Sequence, residues 1–277
     1  MQMICAWKEL LGILPLWMRS DVDSIGKETL QELRLRINSP PELILTSKVQ
    51  VLSRNICTGD LNYCVNAASK YSPWAAATIS KGYITAPGGH RIGLCGSAVF
   101  HSGVLSGIRD LQSLCIRVAR DFSGIAENVR NTAGSVLILG APGWGKTTLL
   151  RDLCRKISRE KLLCVMDERG ELFPDGIPRG KRMDVLSGCP KTMGIEILLR
   201  TMGPEYIGLD EITAAEDCEA LIRAANCGVN LIATAHAASL KDYISRKVYA
   251  SLIQQNIFRD IVLLHPDKTY TLERITT

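Results

Sequence analysis

The chain has 277 residues, of which 46% are hydrophobic and 22% are charged, and its formal net charge is +5. This composition excludes a largely disordered protein, and the length suffices for about two domains with cores of their own. The mild positive charge permits contact with an anionic membrane or a nucleic acid but requires neither.

Cysteine spacing and hydropathy narrow the class further. None of the ten cysteines forms a C-x-x-C pair, so the usual spacing of a zinc site is absent. We interpret them as reduced thiols of a cytoplasmic protein. The N-terminal apolar residues are interrupted by Lys8, Glu9 and Pro15, and no stretch reaches about 18 apolar residues. We therefore expect neither a signal peptide nor a membrane-spanning helix.

The first part of the chain is predicted to form a small α+β domain. Apolar spacing favours helices over residues 1–36, although alternation begins near Leu33 and continues into apolar runs at 43–45 and 49–52, which predicts a small sheet. A helix is expected to begin near Thr58 or Asp60 and to be interrupted by Pro73.

The pattern then favours strands. Residues 82–96 predict a β-hairpin with its turn at Pro87-Gly88-Gly89. A short helix is expected over residues 122–130, followed by a linker over 131–134. We therefore divide the chain into an N-terminal domain, residues 1–125, and a second domain, residues 126–277.

The second domain opens with an apolar strand, Val136 to Leu139, and a G-x-x-x-x-G-K-T loop. Glycines let such a loop turn tightly and form a concave cradle for phosphate oxygens at a helix N-terminus. Lys146 is expected to reach the β- and γ-phosphates, and the Thr147 hydroxyl to ligate Mg²⁺. The predicted nucleotide-binding residues are Gly140, Ala141, Pro142, Gly143, Trp144, Gly145, Lys146, Thr147 and Thr148. The sequence thus predicts an NTP site.

Strands and helices alternate from Gly134 onward, which predicts an α/β fold with a parallel sheet. The predicted strands are residues 136–139, 162–166, 206–209, 231–234, 261–264 and 270–275. The predicted helices are residues 146–158, 194–202, 214–227 and 241–255.

Acidic residues and a histidine follow three of these strands. Asp210 and Glu211 come after the strand at 206–209, where Asp210 is expected to contribute to the Mg²⁺ site and Glu211 to polarise the attacking water. Asp167 and Glu168 follow the strand at 162–166, and either could take the place of Glu211; the sequence does not rank them. His236 follows the strand at 231–234 and is expected to sense the γ-phosphate.

Phosphoryl transfer develops negative charge that an additional arginine can stabilise. Basic residues of the first domain, or a neighbouring subunit of a ring, could supply it. The candidates are Arg91, Arg109, Arg117, Arg120, Arg169, Arg179, Lys181 and Arg182.

With these motifs, the chain resembles the stage III sporulation AA proteins of endospore-forming bacteria, a family related to type II and type IV secretion and pilus ATPases. The blocks that carry the resemblance include E-L-R-L-R, G-Y-I-T-A-P-G-G-H-R-I-G-L-C-G, I-R-D-L-Q-S-L-C-I-R-V-A-R, the phosphate loop, M-D-E-R-G-E-L, D-V-L-S-G-C-P-K, Y-I-G-L-D-E-I and I-A-T-A-H-A. The hairpin block and D-V-L-S-G-C-P-K are the most specific of these. Where many secretion ATPases have Gly-Glu in the Walker B segment, this chain has Asp210-Glu211.

The resemblance implies a RecA-like P-loop ATPase domain after a smaller α+β domain, a homo-hexameric ring, and ATP with Mg²⁺ as ligands. It implies catalytic roles for Lys146, Glu211, Glu168 and His236. It also implies that arginines of the first domain reach the nucleotide: Arg91, Arg109, Arg117 and Arg120 are the corresponding positions, and we assign the catalytic role to Arg117 and Arg120. The implied partners are integral membrane proteins of a secretion-like complex in spore formation, with the ATPase in the mother-cell cytoplasm or peripheral to a membrane. No nucleic acid partner is expected.

Two other functions stay open at the level of sequence. A RecA-like nucleic-acid motor would need a basic stripe with aromatic platforms, but aromatic residues are only 5% of the chain. A nucleotide-gated assembly scaffold would use ATP binding rather than turnover.

Overall fold

The structure is a computed structural model that describes residues 2–69, 82–129, 134–174 and 176–275. The chain divides into two compact units. One unit, the N-terminal unit, consists of residues 4–121 and 174–177. The other, the nucleotide unit, consists of residues 1–3, 122–173 and 178–277. The expected break at Pro73 and most of the expected linker lie outside the described residues.

The N-terminal unit is built on a six-stranded sheet with the order β4-β3-β2-β7-β6-β5. Its strands are β2 (Leu30–Arg36), β3 (Glu42–Leu45), β4 (Val49–Val51), β5 (Tyr83–Thr85), β6 (Arg91–His101) and β7 (Val104–Arg117). Its helices are α1 (Trp7–Gly12), α2 (Leu16–Ile25) and α3 (Thr58–Ser69). Apolar residues of the helices and of the covered sheet face, such as Leu10, Met18 and Leu33, form its core. Strands β1 (Gln2–Ile4) and β8 (Asp121–Ser123) pair separately.

The predicted hairpin is confirmed. Strands β5 and β6 pair antiparallel, with Ile84 opposite Ile92, across a 3₁₀ turn at Pro87–Gly89. Gly88 and Gly89 have φ of 81° and 78°, values that residues with a side chain rarely adopt, so the turn depends on these glycines.

The nucleotide unit contains a seven-stranded sheet with the order β11-β10-β12-β13-β9-β14-β15. All neighbours are parallel except β15, which runs antiparallel to β14. Its strands are β9 (Val136–Leu139), β10 (Leu163–Asp167), β11 (Met183–Ser187), β12 (Tyr206–Leu209), β13 (Asn230–Ala235), β14 (Asp260–Leu264) and β15 (Tyr270–Arg274). Its helices are α4 (Lys146–Ile157), α5 (Lys191–Thr201), α6 (Ala215–Asn226), α7 (Leu240–Ser245) and α8 (Ala250–Gln254). The predicted parallel α/β sheet is therefore confirmed.

Close packing joins helix α4 to strand β12. Helix α4 buries Leu149, Leu150 and Leu153, at the spacing of one helical face. Gly208 lies in the middle of β12, and a Cβ added there would lie only 2.7 Å from Cys154 Sγ of α4. The absence of a side chain at Gly208 therefore lets the helix that follows the phosphate loop approach this strand.

Several local predictions were wrong. Residues 30–36 form β2 rather than the end of a helix, because Leu30, Leu33 and Leu35 are buried in the sheet. The expected helix over 122–130 is absent as far as residue 129, since residues 121–123 are β-strand and turns follow. The expected helix over 241–255 is interrupted at Arg246, whose backbone is extended and whose side chain is held by Asp242.

Candidate functional site

Sheet register brings the ends of four strands together. Leu139 of β9 pairs with Ala235 of β13, so Gly140 and His236 follow at adjacent positions. Leu209 of β12 pairs with Ala233 on one side and with Met166 on the other. The residues that follow these strands therefore meet at the carboxyl edge of the sheet, where open α/β sheets bind ligands.

The phosphate loop joins β9 to α4 through glycines with left-handed backbone. Gly143 has φ of 76° and Gly145 has φ of 102°. A Cβ added at either position would meet nothing within 4 Å, so backbone conformation rather than crowding calls for glycine here. Helix α4 begins directly at Lys146, and the N–H groups of its first turn, which have no acceptor within the helix, lie next to the loop.

Lys146 is buried and folds back onto its own loop. Its Nζ donates to the carbonyl oxygens of Gly140 at 2.9 Å and Ala141 at 3.2 Å, and lies 3.3 Å from His236 Nδ1. Burial lowers the pKa of Lys146, and the nearby charge of Asp210 opposes this shift. Within the part of the chain that the structure describes, all direct partners of the Lys146 ammonium are therefore uncharged acceptors.

His236 connects Lys146 to Glu211. Its Nε2 lies 2.6 Å from Glu211 Oε1. Because an ammonium can only donate, His236 Nδ1 must accept from Lys146, which places the ring proton on Nε2, where it donates to Glu211. Burial and the charges of Lys146 and Arg246 lower the pKa of His236, in agreement with a neutral ring, while Asp210 raises it. The result is a continuous chain of hydrogen bonds, Lys146–His236–Glu211.

Asp210 lies at the same edge, where the effect of burial outweighs the positive charges around it. Its Oδ1 accepts from the Thr234 hydroxyl at 3.3 Å. Burial raises the pKa of Asp210, and the Thr234 hydrogen bond and the charges of Arg151, Lys191 and Arg169 only partly oppose this. A desolvated carboxylate next to a phosphate loop fits a hard divalent cation such as Mg²⁺, and the Thr147 hydroxyl in the first turn of α4 is a suitable further oxygen ligand.

Asp167 and Glu168 differ although they are neighbours. Asp167 is buried, and its two carboxylate oxygens accept the backbone N–H groups of Glu171, Leu172 and Phe173 at 2.9 to 3.1 Å. Its carboxylate is thus engaged in holding the 168–173 loop. The Glu168 side chain is exposed, so the geometry favours Glu168 over Asp167 as the acid of this strand end that is available to a substrate or a water.

Lys191, at the start of α5, lies among the candidate site residues although the sequence motifs did not single it out. Its Nζ donates to the Glu211 carbonyl oxygen at 2.8 Å and lies 3.5 Å from Glu168 Oε2. It also contacts Asp217 Oδ2 at 3.2 Å. The sequence block D-V-L-S-G-C-P-K, which carries the family resemblance, ends in this lysine. The block does not show that the lysine contacts residues 20 or more positions away in the chain.

Over the residues that the structure describes, the nucleotide unit has two openings near the carboxyl edge of its sheet. A small cleft of about 30 Å³ is lined by acidic and basic residues, among them Glu168, Lys191, Asp210 and Glu211. A larger cavity of about 440 Å³ lies beside Trp144 and Thr148 of the loop. Its further lining is mostly apolar: Phe122, Ile125, Leu149, Leu264 and Tyr270. Lys268, also in this lining, donates to the Gly143 carbonyl oxygen.

Arg117 and Arg120, the two arginines to which the resemblance assigns a catalytic role, belong to the N-terminal unit. Arg117 has a side chain that is 67% exposed, and its Nε lies 3.3 Å from Glu32 Oε2. Arg120 donates from Nε to the Lys27 carbonyl oxygen, and from its two other nitrogens to Gln31 and to the Leu30 carbonyl oxygen. Arg120 thus has a structural role in its own unit. Contact of either arginine with a nucleotide stays a prediction.

Comparison with solved structures defines the fold class. The chain is similar to the ATPase DotB of Legionella pneumophila, with a TM-score of 0.61 at 15% identity over 94% of this chain and 79% of that one. It is also similar to the pilus retraction motor PilT with bound ADP, with a TM-score of 0.64 at 14% identity over 91% of this chain and 80% of that one. The fold, with its phosphate loop at the sheet edge, is the RecA-like α/β fold of the secretion ATPases, preceded by a unit with an antiparallel sheet.

Comparison of sequences identifies the family within that class. Residues 8–274 match the family described as sporulation stage III, protein AA, and the chain belongs to this family. It is 37% identical over 270 residues to stage III sporulation protein AA of Bacillus subtilis, covering 90% of this chain and 88% of that protein. It is 31% identical over 260 residues to the uncharacterized protein ycf45 of Porphyra purpurea, of which the match covers 43%. The resemblance inferred from the motifs is confirmed.

Among the described residues, no helix has the length and apolarity needed to cross a bilayer. The same residues contain no cluster of three or more side chains of the types that commonly hold a metal ion. A Mg²⁺ site of the kind expected here, with one carboxylate and a hydroxyl completed by phosphate oxygens and waters, does not require such a cluster.

Proposed function

We propose that this protein is a Mg²⁺-dependent ATPase that binds ATP through residues 140–148 and hydrolyses it to ADP and phosphate. One observation carries the proposal: the Lys146–His236–Glu211 chain joins the cation of the phosphate loop to a carboxylate at the sheet edge. A phosphate-binding cation, a neutral histidine and a partly exposed acid in direct contact are what a γ-phosphate site requires.

The roles of the residues follow from their contacts. Lys146 exchanges its carbonyl partners, Gly140 and Ala141, for phosphate oxygens of the bound nucleotide. Its departure leaves His236 Nδ1 without that donor, so the His236–Glu211 pair responds directly to occupancy of the loop. Glu211 then serves as the acceptor for a proton of the attacking water. Mg²⁺, held by Thr147 and Asp210, would supply charge neutralisation on the phosphates.

The larger cavity supports a nucleoside triphosphate over a smaller phosphate ligand. It adjoins the loop at Gly143 and Thr148, and its volume of about 440 Å³ is in the range of pockets that hold small organic ligands. Phe122 and Tyr270 supply aromatic surface on which a base can lie.

The deciding experiment is Lys146→Ala in the purified full-length chain. We expect phosphate release from Mg-ATP to be lost, with the thermal unfolding transition kept, because within the described part of the chain Lys146 bonds only to the loop and to His236. Lys161→Ala is the matched control, since Lys161 pairs with Glu205 on the exposed surface of the same unit. Turnover by a folded Lys146→Ala variant would overturn the proposal.

We further propose that the ATPase works as a homo-hexamer that energises a membrane-embedded, secretion-like complex during spore formation. Membership of the sporulation family and the fold of the secretion ATPases support this role. Of Arg117 and Arg120, Arg117 is the more exposed, and we propose that it is the one that reaches a nucleotide. Sizing by light scattering with and without Mg-ATP tests the ring. Fractionation of sporulating cells tests the location, and recovery independent of any membrane protein would contradict the proposed partners.

A further inference from the structure

Lys191 occupies an unusual position for a lysine. It is the first residue of helix α5, where the helix dipole disfavours a positive charge, and only 10% of its side chain is exposed. Burial of a lysine at this end of a helix costs free energy, and the helix dipole does not compensate for it. The compensating interactions must therefore come from the groups that the ammonium contacts.

Those contacts join two candidate catalytic carboxylates. The Lys191 ammonium donates to the main-chain oxygen of Glu211 at 2.8 Å, so it fixes the backbone from which that side chain extends. It lies 3.5 Å from Glu168 Oε2, the exposed acid at the end of the neighbouring strand. One cation thus contacts the strand ends of both β10 and β12.

A buried ion pair anchors Lys191 itself. Asp217 Oδ2 lies 3.2 Å from the ammonium and also accepts from the Thr213 backbone N–H, the Thr213 hydroxyl and the Ala214 backbone N–H. Burial by itself would raise the pKa of Asp217, but the Thr213 hydrogen bonds and the Lys191 charge outweigh it and hold the pKa below its usual value. The charged pair therefore ties the segment after β12 to helices α5 and α6.

The residues around Lys191 enclose the small cleft. Glu168 and Glu211 line it together with Lys191, and its volume of about 30 Å³ has room for one water. From these contacts we propose that Lys191 is a positioning residue, which holds Glu211 and Glu168 on either side of the water that attacks the nucleotide. The inference rests on the proposed ATPase function and adds to it a residue that touches neither nucleotide nor metal.

The test is a mutant cycle that combines Lys191→Met, which keeps the aliphatic stem, with Glu168→Gln. We expect Lys191→Met to lower kcat about tenfold or more and to leave KM for Mg-ATP within about twofold, because small misplacements of catalytic groups reduce the rate steeply. In the Glu168→Gln background the same change should have a clearly smaller effect, since the two residues act together. Lys191→Arg, which keeps the charge, should recover part of kcat.

A measurement on the nucleotide-free protein provides a second readout. Hydrogen exchange of residues 210–214 should become faster in Lys191→Met, because the Glu211 carbonyl loses its donor, and should stay unchanged in Lys161→Met, which removes an exposed ion pair. The inference would be overturned if Lys191→Met changed neither kcat nor the hydrogen exchange of residues 210–214. It would also be overturned if the loss of kcat were additive with that of Glu168→Gln and were explained by a lower melting temperature alone. A wild-type chain that binds no Mg-nucleotide would instead overturn the proposed function, and accelerated exchange would still locate the Lys191 contact.

Discussion

The ends of strands β10 and β12 look alike in sequence, since each buried apolar run is followed by two acidic residues, yet the structure uses them differently. Asp167 is saturated by three backbone N–H groups, whereas Asp210 has one hydroxyl partner and a pKa raised by burial. A carboxylate whose two oxygens both accept backbone N–H groups contributes to stability, whereas one whose burial outweighs the nearby positive charges destabilises the fold until a cation binds. The comparison separates a structural acid from an acid that fits the proposed cation site.

The largest expected effect is on the acid beside Asp210. Glu211→Gln should lower kcat for Mg-ATP about 10³-fold, because the amide cannot accept a proton from the attacking water. Nucleotide binding, measured by fluorescence of a labelled ADP, should be retained. A variant that keeps more than about a tenth of the wild-type rate would assign the proton acceptor to Glu168 and weaken the distinction between the two strand ends.

Asp167→Asn tests the structural half of the comparison. An amide presents one oxygen where the carboxylate presents two, and it places its own N–H group against the backbone donors of the 171–173 segment. We expect the free energy of unfolding to fall by about 3 kcal/mol, as is usual when buried donors lose a charged acceptor. Urea denaturation measures this loss of stability. The control is Glu127→Gln, which removes an exposed ion pair with Arg159 that contributes less than about 0.5 kcal/mol. Equal stability of the two variants would refute a structural role for Asp167.

Asp210→Asn should have a smaller effect of the opposite sign. Burial makes the pKa of Asp210 higher in the folded than in the unfolded protein. Protonated Asp210 therefore stabilises the folded, nucleotide-free protein at acid pH relative to neutral pH. This contribution to the free energy of unfolding is lost as the pH rises through the interval between the two pKa values. Removing the charge should therefore stabilise the nucleotide-free protein at pH 7 by about 1 kcal/mol, typical of single stabilising changes. The gain should shrink toward pH 4 in urea titrations.

Added Mg-ATP distinguishes the two aspartates once more. It should raise the melting temperature of the wild type but give Asp210→Asn a much smaller increase, since the cation loses its carboxylate. Destabilisation of Asp210→Asn at pH 7 without nucleotide would contradict the sign given above.

Sequence reasoning succeeded where burial alone decides the structure. The bounds of β9 and β12 were predicted to the residue because all four positions of each strand are apolar and buried. Strand β11 was missed, since it lies at the sheet edge with exposed Asp184 and Ser187 between apolar residues. The helix expected over 122–130 was wrong because tertiary contacts override local preference there: the Ala126 N–H donates to Asp152, and Lys156 Nζ donates to carbonyl oxygens of this segment.

The candidate site was predictable in its residue types but not in its connections. Strand order and the phosphate loop sufficed to bring Lys146, Glu211 and His236 to one edge. The sequence could not rank Asp167, Glu168 and Glu211, because the difference lies in the backbone N–H groups that each carboxylate meets. Lys191 was not predicted because its partners, Glu168, Glu211 and Asp217, lie 20 or more residues away in the chain.

Gly208 sets a limit on how this sequence can vary. Its missing side chain leaves space for Cys154, so the two positions share one fixed volume between helix α4 and strand β12. A larger side chain at position 208 therefore requires a smaller one at position 154. Otherwise helix α4, which carries Thr147, moves away from strand β12, which precedes Asp210. Relatives with alanine at the position of Gly208 are therefore expected to have a smaller residue at that of Cys154, and a chain that enlarges both should separate the Thr147 and Asp210 oxygens that we propose to bind Mg²⁺.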